Sequence, residues 1–224
     1  MHYKNLMMVS IVLFTASLNG SQELCAVVRK SLGMLYANTQ VHATRLYVLT
    51  GGPGTGKSST IEELANRGQQ TIKEAYTTLY EKAAKENKID AFFEDPLQLH
   101  YNLMREQLKA EEALDKEKSA FLDRSVIDIV TFGDYLKVNI PDDLKAQADR
   151  EYELVFLLEP LPSSCYKKTE IRKETEEESH VIHNILKEAY KRRGYILVDV
   201  PFGTPASRAQ FILNCVARHE NLKT

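Results

Sequence analysis

Residues 45–60 read RLYVLTGGPGTGKSST: a short apolar run, four glycines within six positions, then a stretch that favours helix. Few folds tolerate such a segment. Glycine accepts positive φ, so the backbone can curl its N–H groups inward around an anion. A helix starting near Lys57 aims the positive end of its dipole at the same point. The spacing of Gly51, four residues, Gly56, Lys57 and Ser58 fits the phosphate-binding P-loop in full. In that reading Gly51, Gly52, Pro53, Gly54, Thr55, Gly56, Lys57, Ser58 and Ser59 wrap a nucleoside triphosphate. Lys57 reaches the β- and γ-phosphates, and the Ser58 hydroxyl ligates Mg²⁺. The plain alternative is a glycine-rich turn with a chance lysine. It lacks the strand before and the helix after, which LYVLT and IEELANR supply.

Strand and helix patterns alternate onward from residue 45, which favours a parallel sheet covered on both faces. Strands are expected at residues 45–50, 70–73, Ala120–Asp123, 152–158 and 195–200. Helices are expected at Lys57–Asn66, from Ala75 to Ala84, from Pro96 through Leu114, and at 126–136, 181–193 and 205–219. Residues 45–219 thus form one α/β domain. Residues 22–44 read as an extension, and residues 1–21 as a signal-like segment with an apolar stretch at 6–18. That stretch falls short of the ~20 residues that span a bilayer, so no transmembrane span is expected. A buried N-terminal element and a start at Met34 are the other readings.

Twenty-nine Lys and Arg against 31 Asp and Glu leave no basic excess, so nucleic acid is not an expected partner. Cys25, Cys165 and Cys215 are odd in number and widely spaced, which suits a reducing compartment. Cysteine usage and nucleotide chemistry point to the cytoplasm, against the signal-like start. Oligomeric state has no sequence signal.

A triphosphate site acquires a chemistry from the residues opposite it. Asp123 and Arg124 stand at the carboxyl end of a buried strand, where ligands bind in open α/β sheets. The aspartate can hold Mg²⁺ and the arginine can neutralise charge during phosphoryl transfer. The alternative is an exposed helix start with Asp128 paired to a nearby base. Glu74 follows the second strand, where a carboxylate could draw a proton from an acceptor hydroxyl; a solvated first-turn glutamate is equally consistent. Residues 166–178 (YKKTEIRKETEEE) read as a charged lid, with Arg172 the cation that closes over phosphate, or else as a solvated helix. His180 and His183 lack a third ligand for a metal, and Tyr76 with Tyr80 reads as packing.

Taken in order, these segments resemble a family of small AAA-annotated P-loop domains. That family is related to the ribosylnicotinamide kinase domain of NadR and, more widely, to nucleoside and thymidylate kinases. The resemblance rests on YVLTGGPGTGKSS, Glu74-Ala75, Leu97-Gln98, FLDRSVID, VFLLEPLP, IRKETEE, GYILVDVP and Arg208. It implies a five-stranded parallel sheet, Mg²⁺ with ATP (or GTP) at the P-loop, and a small acceptor held between the Glu74 helix, the Gln98 helix and the lid. The family places arginine three residues after the glutamate and glycine after the aspartate-arginine pair; here these are Thr77 and Ser125. The group also holds a GTP-binding trafficking protein of photoreceptors. The expected function is a Mg²⁺-dependent phosphotransferase that moves the γ-phosphate of ATP to a nucleoside-like or other small hydroxylated acceptor, with a nucleotide-dependent switch or regulatory binding module as the alternative.

Overall fold

The computed structural model describes residues 44–162 and 174–223. The signal-like segment 1–21, the extension as far as residue 43, most of the expected lid with Arg172, and Cys25 and Cys165 lie outside the described residues.

Five parallel strands, β1 (Leu46–Thr50), β2 (Gln70–Ile72), β3 (Ala120–Asp123), β4 (Leu154–Leu158) and β5 (Leu197–Val200), form one sheet in the order β2-β3-β1-β4-β5. Successive side chains of a strand point to opposite faces, and the apolar residues follow that rule. Tyr47, Leu49, Phe121, Phe156 and Leu158 face one side. There they pack against α1 (Lys57–Asn66) through Ile61 and Leu64, and against the C-terminal helix Pro205–Asn221 through Ile212 and Val216. Val48, Leu122 and Val155 face the other. Their partners come from α2 (Ala75–Lys85), α4 (Pro96–Glu112), α5 (Val126–Tyr135) and α7 (Glu176–Arg192). The result is the three-layer arrangement expected of a P-loop nucleoside-kinase fold.

This layering places the site. The helix after β1 goes to one face and the helix after β3 to the other, although β1 and β3 are neighbours. A crevice must open between their carboxyl ends.

Several boundaries differ from expectation. α7 begins at Glu176 rather than residue 181. Thr175 accepts from the Glu178 amide and Glu178 accepts from the Thr175 amide, a capping box that offsets the charge run. α3 (Ile89–Glu94) was not expected; its Phe92 meets Tyr76 and Tyr80 edge-on at centroid distances of 5.4 and 5.9 Å. α6 (Asp142–Lys145) and the 3₁₀ turn Ala146–Ala148 were also missed, and the last helix, α8, runs on to Asn221. β5 starts at Leu197, two residues late, because the Tyr195 amide still donates back to the Tyr190 carbonyl at the end of α7, at 3.2 Å.

Candidate nucleotide and acceptor site

Gly51, Gly54 and Gly56 take positive φ in the loop between β1 and α1, and Gly56 is the N-cap of α1 at φ 83°. Gly52 does not, and its need for glycine is steric. A Cβ there would lie 2.4 Å from the Ser179 carbonyl oxygen on α7. Helix α7 braces this part of the loop. The Ser179 hydroxyl donates to the Pro53 carbonyl at 2.5 Å, and the Gly52 amide donates to His183 Nδ1 at 3.4 Å. Burial, then the charges of Lys57, Lys187 and His180, push His183 down to about 4, so it stays a neutral acceptor. No local pattern marks His183 for this place, which is 131 residues from its partner.

Lys57 is buried, not open to solvent. Its ammonium donates to the Gly51 and Gly52 carbonyls at 3.0 and 2.8 Å and to Thr55 Oγ1 at 3.3 Å. Burial foremost, then the charge of Arg124, lowers it to about 7, against the opposing pull of Asp123, Glu74 and Asp128.

Register carries Asp123 to the loop, since it pairs with Leu49 of β1. The Ser58 hydroxyl donates to Asp123 Oδ2 at 2.7 Å, while Asp123 Oδ1 is buried with no hydrogen-bond partner among the described residues. Burial and the nearby Glu74 charge raise Asp123 to about 6; Lys57, Ser58 and Arg124 pull the other way. A hydroxyl beside a carboxylate with one unpaired oxygen fits a hard cation such as Mg²⁺. Among the described residues no three His, Cys, Asp or Glu side chains gather to hold a metal unaided. Such an ion would complete its shell with water and phosphate oxygens.

Arg124 stands next along the chain at φ 71°, an unfavourable conformation for a side-chain-bearing residue. Its Nε donates to Glu74 Oε1 at 2.6 Å, and Nη1 donates to the Gly51 carbonyl at 3.1 Å and to Asp128 Oδ1 at 3.3 Å. The guanidinium lies 4.9 Å above the Phe132 ring. Burial alone would lower its pKa, but Glu74, Asp128 and Asp123 hold it charged. Asp128 also accepts from Thr50 Oγ1 (2.7 Å), from the Ser125 amide (3.1 Å) and from the Tyr190 hydroxyl (2.5 Å). It is both the helix-start residue and the partner of a base, and it is wholly buried.

Glu74 is the N-cap residue of α2 and is half-buried, not solvated. Thr77, in the place where the resemblance expects arginine, donates to Glu74 Oε2 at 2.7 Å. Burial works to raise the Glu74 pKa, but Arg124, Lys57 and the Thr77 hydrogen bond together hold it below the usual value.

Several of these groups share a cavity of about 360 Å³, although Asp123 is not among its lining residues. Lys57, Ser58, Glu74, Arg124 and Asp128 form its charged end, and Tyr76, Leu99, Leu103, Ile129 and Phe132 its apolar walls. Gln98, expected at the acceptor, is not among the lining residues. It is exposed on α4, with its amide donating to Asn102 at 3.2 Å. The helix phase turns the next positions, Leu99 and His100, inward instead. Arg208, noted only through the resemblance, is buried beneath the loop. It donates to the carbonyls of Thr55, Glu159 and Pro201 and so ties the loop to the ends of β4 and β5.

A glycine-rich loop at the switch point of a five-stranded parallel sheet defines a P-loop nucleotide-binding protein with a kinase-like fold. The profile of the family described as "AAA domain" matches residues 46–208, and the chain belongs to that family. No curated protein matches it. Among solved structures it is similar to NadR in complex with NR, at TM-score 0.57 and 17% identity over 80% of this chain and 52% of that one. NadR in complex with NAD and AMP-PNP gives 0.52 and 19%, over 79% and 49%. Thymidylate kinase from Candida albicans gives 0.51 and 15%, over 80% and 93%. The chain spans about half the length of NadR. At these identities the likeness is one of fold.

Proposed function

We propose that the chain is a Mg²⁺-dependent phosphotransferase that moves the γ-phosphate of ATP, or alternatively GTP, to a nucleoside-like or other small hydroxylated acceptor, with residues 45–219 as the working domain. The supporting observation is the Glu74–Arg124 pair, 2.6 Å apart, opening into the same cavity as Lys57 and Ser58. A switch needs a phosphate loop, a metal and a segment that moves. It has no need of a carboxylate-arginine pair facing an apolar chamber beside the loop.

Each group then has a task. Lys57 exchanges its carbonyl partners for phosphate oxygens. Arg124, fixed by Glu74, Asp128 and the Gly51 carbonyl, meets charge developing on the transferred group. Both Glu74 oxygens already accept one hydrogen bond, and each keeps a second lone pair for an acceptor hydroxyl. Its low pKa makes it a weak base, which suits a loose phosphoryl transition state that demands little early proton removal. Mg²⁺ held by Asp123 and Ser58 would neutralise phosphate charge. The apolar walls exclude water and favour transfer over hydrolysis. NadR, in complexes with NR and with NAD and AMP-PNP, and a thymidylate kinase share this fold, which agrees with that reading.

ADP release measured across nucleosides and related hydroxylated metabolites tests it. At least one acceptor should stimulate release, and Lys57→Ala should abolish the stimulation. If Mg-ATP binds but no acceptor stimulates release, the switch reading replaces this one.

A further inference from the structure

The cavity wall carries one polar side chain whose orientation is fixed and whose far end has no hydrogen-bond partner among the described residues. His100, on α4, is only 3% exposed and lines the chamber. Its Nδ1 lies 2.7 Å from the Pro96 carbonyl oxygen. A carbonyl can only accept, so Nδ1 carries the proton, and Nε2 of the neutral ring is an acceptor. On the other side of the ring, Cδ2 rests where Gly133 of α5 has no side chain; a Cβ there would lie 3.0 Å away. Flipping the ring would put a C–H against the carbonyl and lose the bond. No hydrogen bond joins Nε2 to a described residue, and the cavity that His100 lines is walled by Leu99, Leu103, Ile129 and Phe132.

We propose that His100 is a specificity-determining residue for the acceptor. Its Nε2 accepts a hydrogen bond from an N–H or O–H on the acceptor's ring, and so selects a planar heterocycle bearing that donor over the same ring without it. This rests on the phosphotransferase reading of the cavity. The apolar walls receive the faces of a flat ring while the charged end takes the hydroxyl. An analogue lacking the donor displaces water from Nε2 and leaves a buried acceptor unpaired, and that loss is the discrimination. A purely structural histidine, present to bind the Pro96 carbonyl, would affect folding and leave preference among acceptors untouched.

The test is calorimetric titration of the full chain with Mg²⁺ and AMP-PNP in place, so that the donor site is filled. The probes are cytidine against pyrimidin-2-one riboside, and adenosine against purine riboside, pairs that differ by one amino group. In the wild type at least one amino nucleoside should bind roughly 3- to 10-fold more tightly than its partner, the worth of one neutral hydrogen bond. His100→Phe should bring that ratio to about one. His100→Gln, which keeps an acceptor, should restore part of it and guards against a Phe variant that folds poorly. An unchanged ratio in His100→Phe, or no preference in the wild type, overturns the role of His100 while leaving phosphotransfer standing. A preference that responds to His100 without any turnover supports the role and refutes phosphotransfer. If no nucleoside binds the wild type, the role of His100 falls, and phosphotransfer is decided by the ADP-release assay alone.

Discussion

Glu74→Gln isolates the feature that separates phosphotransfer from simple nucleotide binding. The substitution keeps the shape of the side chain. The amide oxygen can still accept from Arg124 Nε, as the carboxylate does at 2.6 Å, and the new NH₂ can donate to Thr77 Oγ1, which reverses its present role. Arg124 keeps Asp128 at 3.3 Å and the Gly51 carbonyl at 3.1 Å. What disappears is charge. A hydrogen bond from an acceptor hydroxyl to a carboxylate is roughly twice as strong as one to an amide, and proton acceptance is lost altogether. General bases contribute about 10²–10⁴-fold, or roughly 2.7–5.4 kcal/mol at 1.36 kcal/mol per decade. Because Arg124, Lys57 and Thr77 hold the Glu74 pKa low, it is a weak base, and the loss should fall near the lower end, about 10²–10³-fold. The assay is kcat/KM for acceptor phosphorylation, with ATP affinity measured separately and expected to move less than about threefold, below the ~1 kcal/mol of an ordinary hydrogen bond. A depressed carboxylate loses its contribution to stability only as pH falls from its ordinary 4.5 through its lower folded value, so between pH 6 and 8 the variants compare at fixed Glu74 charge. Turnover within about threefold of wild type would remove Glu74 from the acceptor. An equal loss in ATP affinity would instead make it a support of the phosphate loop through Arg124 and Gly51.

The remaining predictions concern the loop, the metal and the wall. Lys57 sits near 7 in the free protein and must rise beside a triphosphate, so Mg-ATP binding at pH 8 should take up most of a proton, seen as a buffer-dependent binding enthalpy. Lys57→Ala should lose both that uptake and the ~2.7 kcal/mol of thermal stabilisation expected at ATP one hundred times its Kd; undiminished stabilisation would refute the loop assignment. Asp123 is raised to about 6 and keeps its proton below that pH, whereas metal binding needs the carboxylate, so activity should fall on its acid side near pH 6. Raising Mg²⁺ should move that limb to lower pH, and a limb indifferent to Mg²⁺ would take Asp123 out of the metal site. Gly133→Ala brings a Cβ to 2.1 Å from Ile140 Cδ1 and 3.0 Å from His100 Cδ2. Helix propensity returns ~1 kcal/mol and overpacking costs ~1–3, so denaturant unfolding should show a net loss of up to about 2 kcal/mol; a gain would mean that the wall is loose.

How far the sequence reveals this site depends on how local each part is. The loop from Gly51 to Ser58 was legible because its glycines, lysine and serine are contiguous, and Asp123 because strand ends are where such sheets bind ligands. Gln98 and His100 differ by two positions on one helix, and the pattern alone does not say which faces inward until α5 is known to lie beside them. Ser179, His183 and Tyr190 reach the site from α7, more than sixty residues from any partner there, and no motif links them. The T-x-x-E signature at Thr175 was present but submerged in a run of acids. Ser125 shows why a departure from the family pattern needs the structure to explain it. In this chain the residue after Arg124 caps α5, accepting from the Ile127 amide at 3.1 Å and bonding the Tyr190 hydroxyl at 2.6 Å. Glycine could do neither. The positive φ falls on Arg124 itself, at a cost of about 1–3 kcal/mol for a non-glycine residue, and such a conformation persists only where the surroundings over-determine it. Glu74, Asp128 and the Gly51 carbonyl supply that determination, each from a different element. The guanidinium is therefore held in place before any ligand arrives, and loosening any one of the three should relax the backbone at Arg124 before it disturbs the sheet.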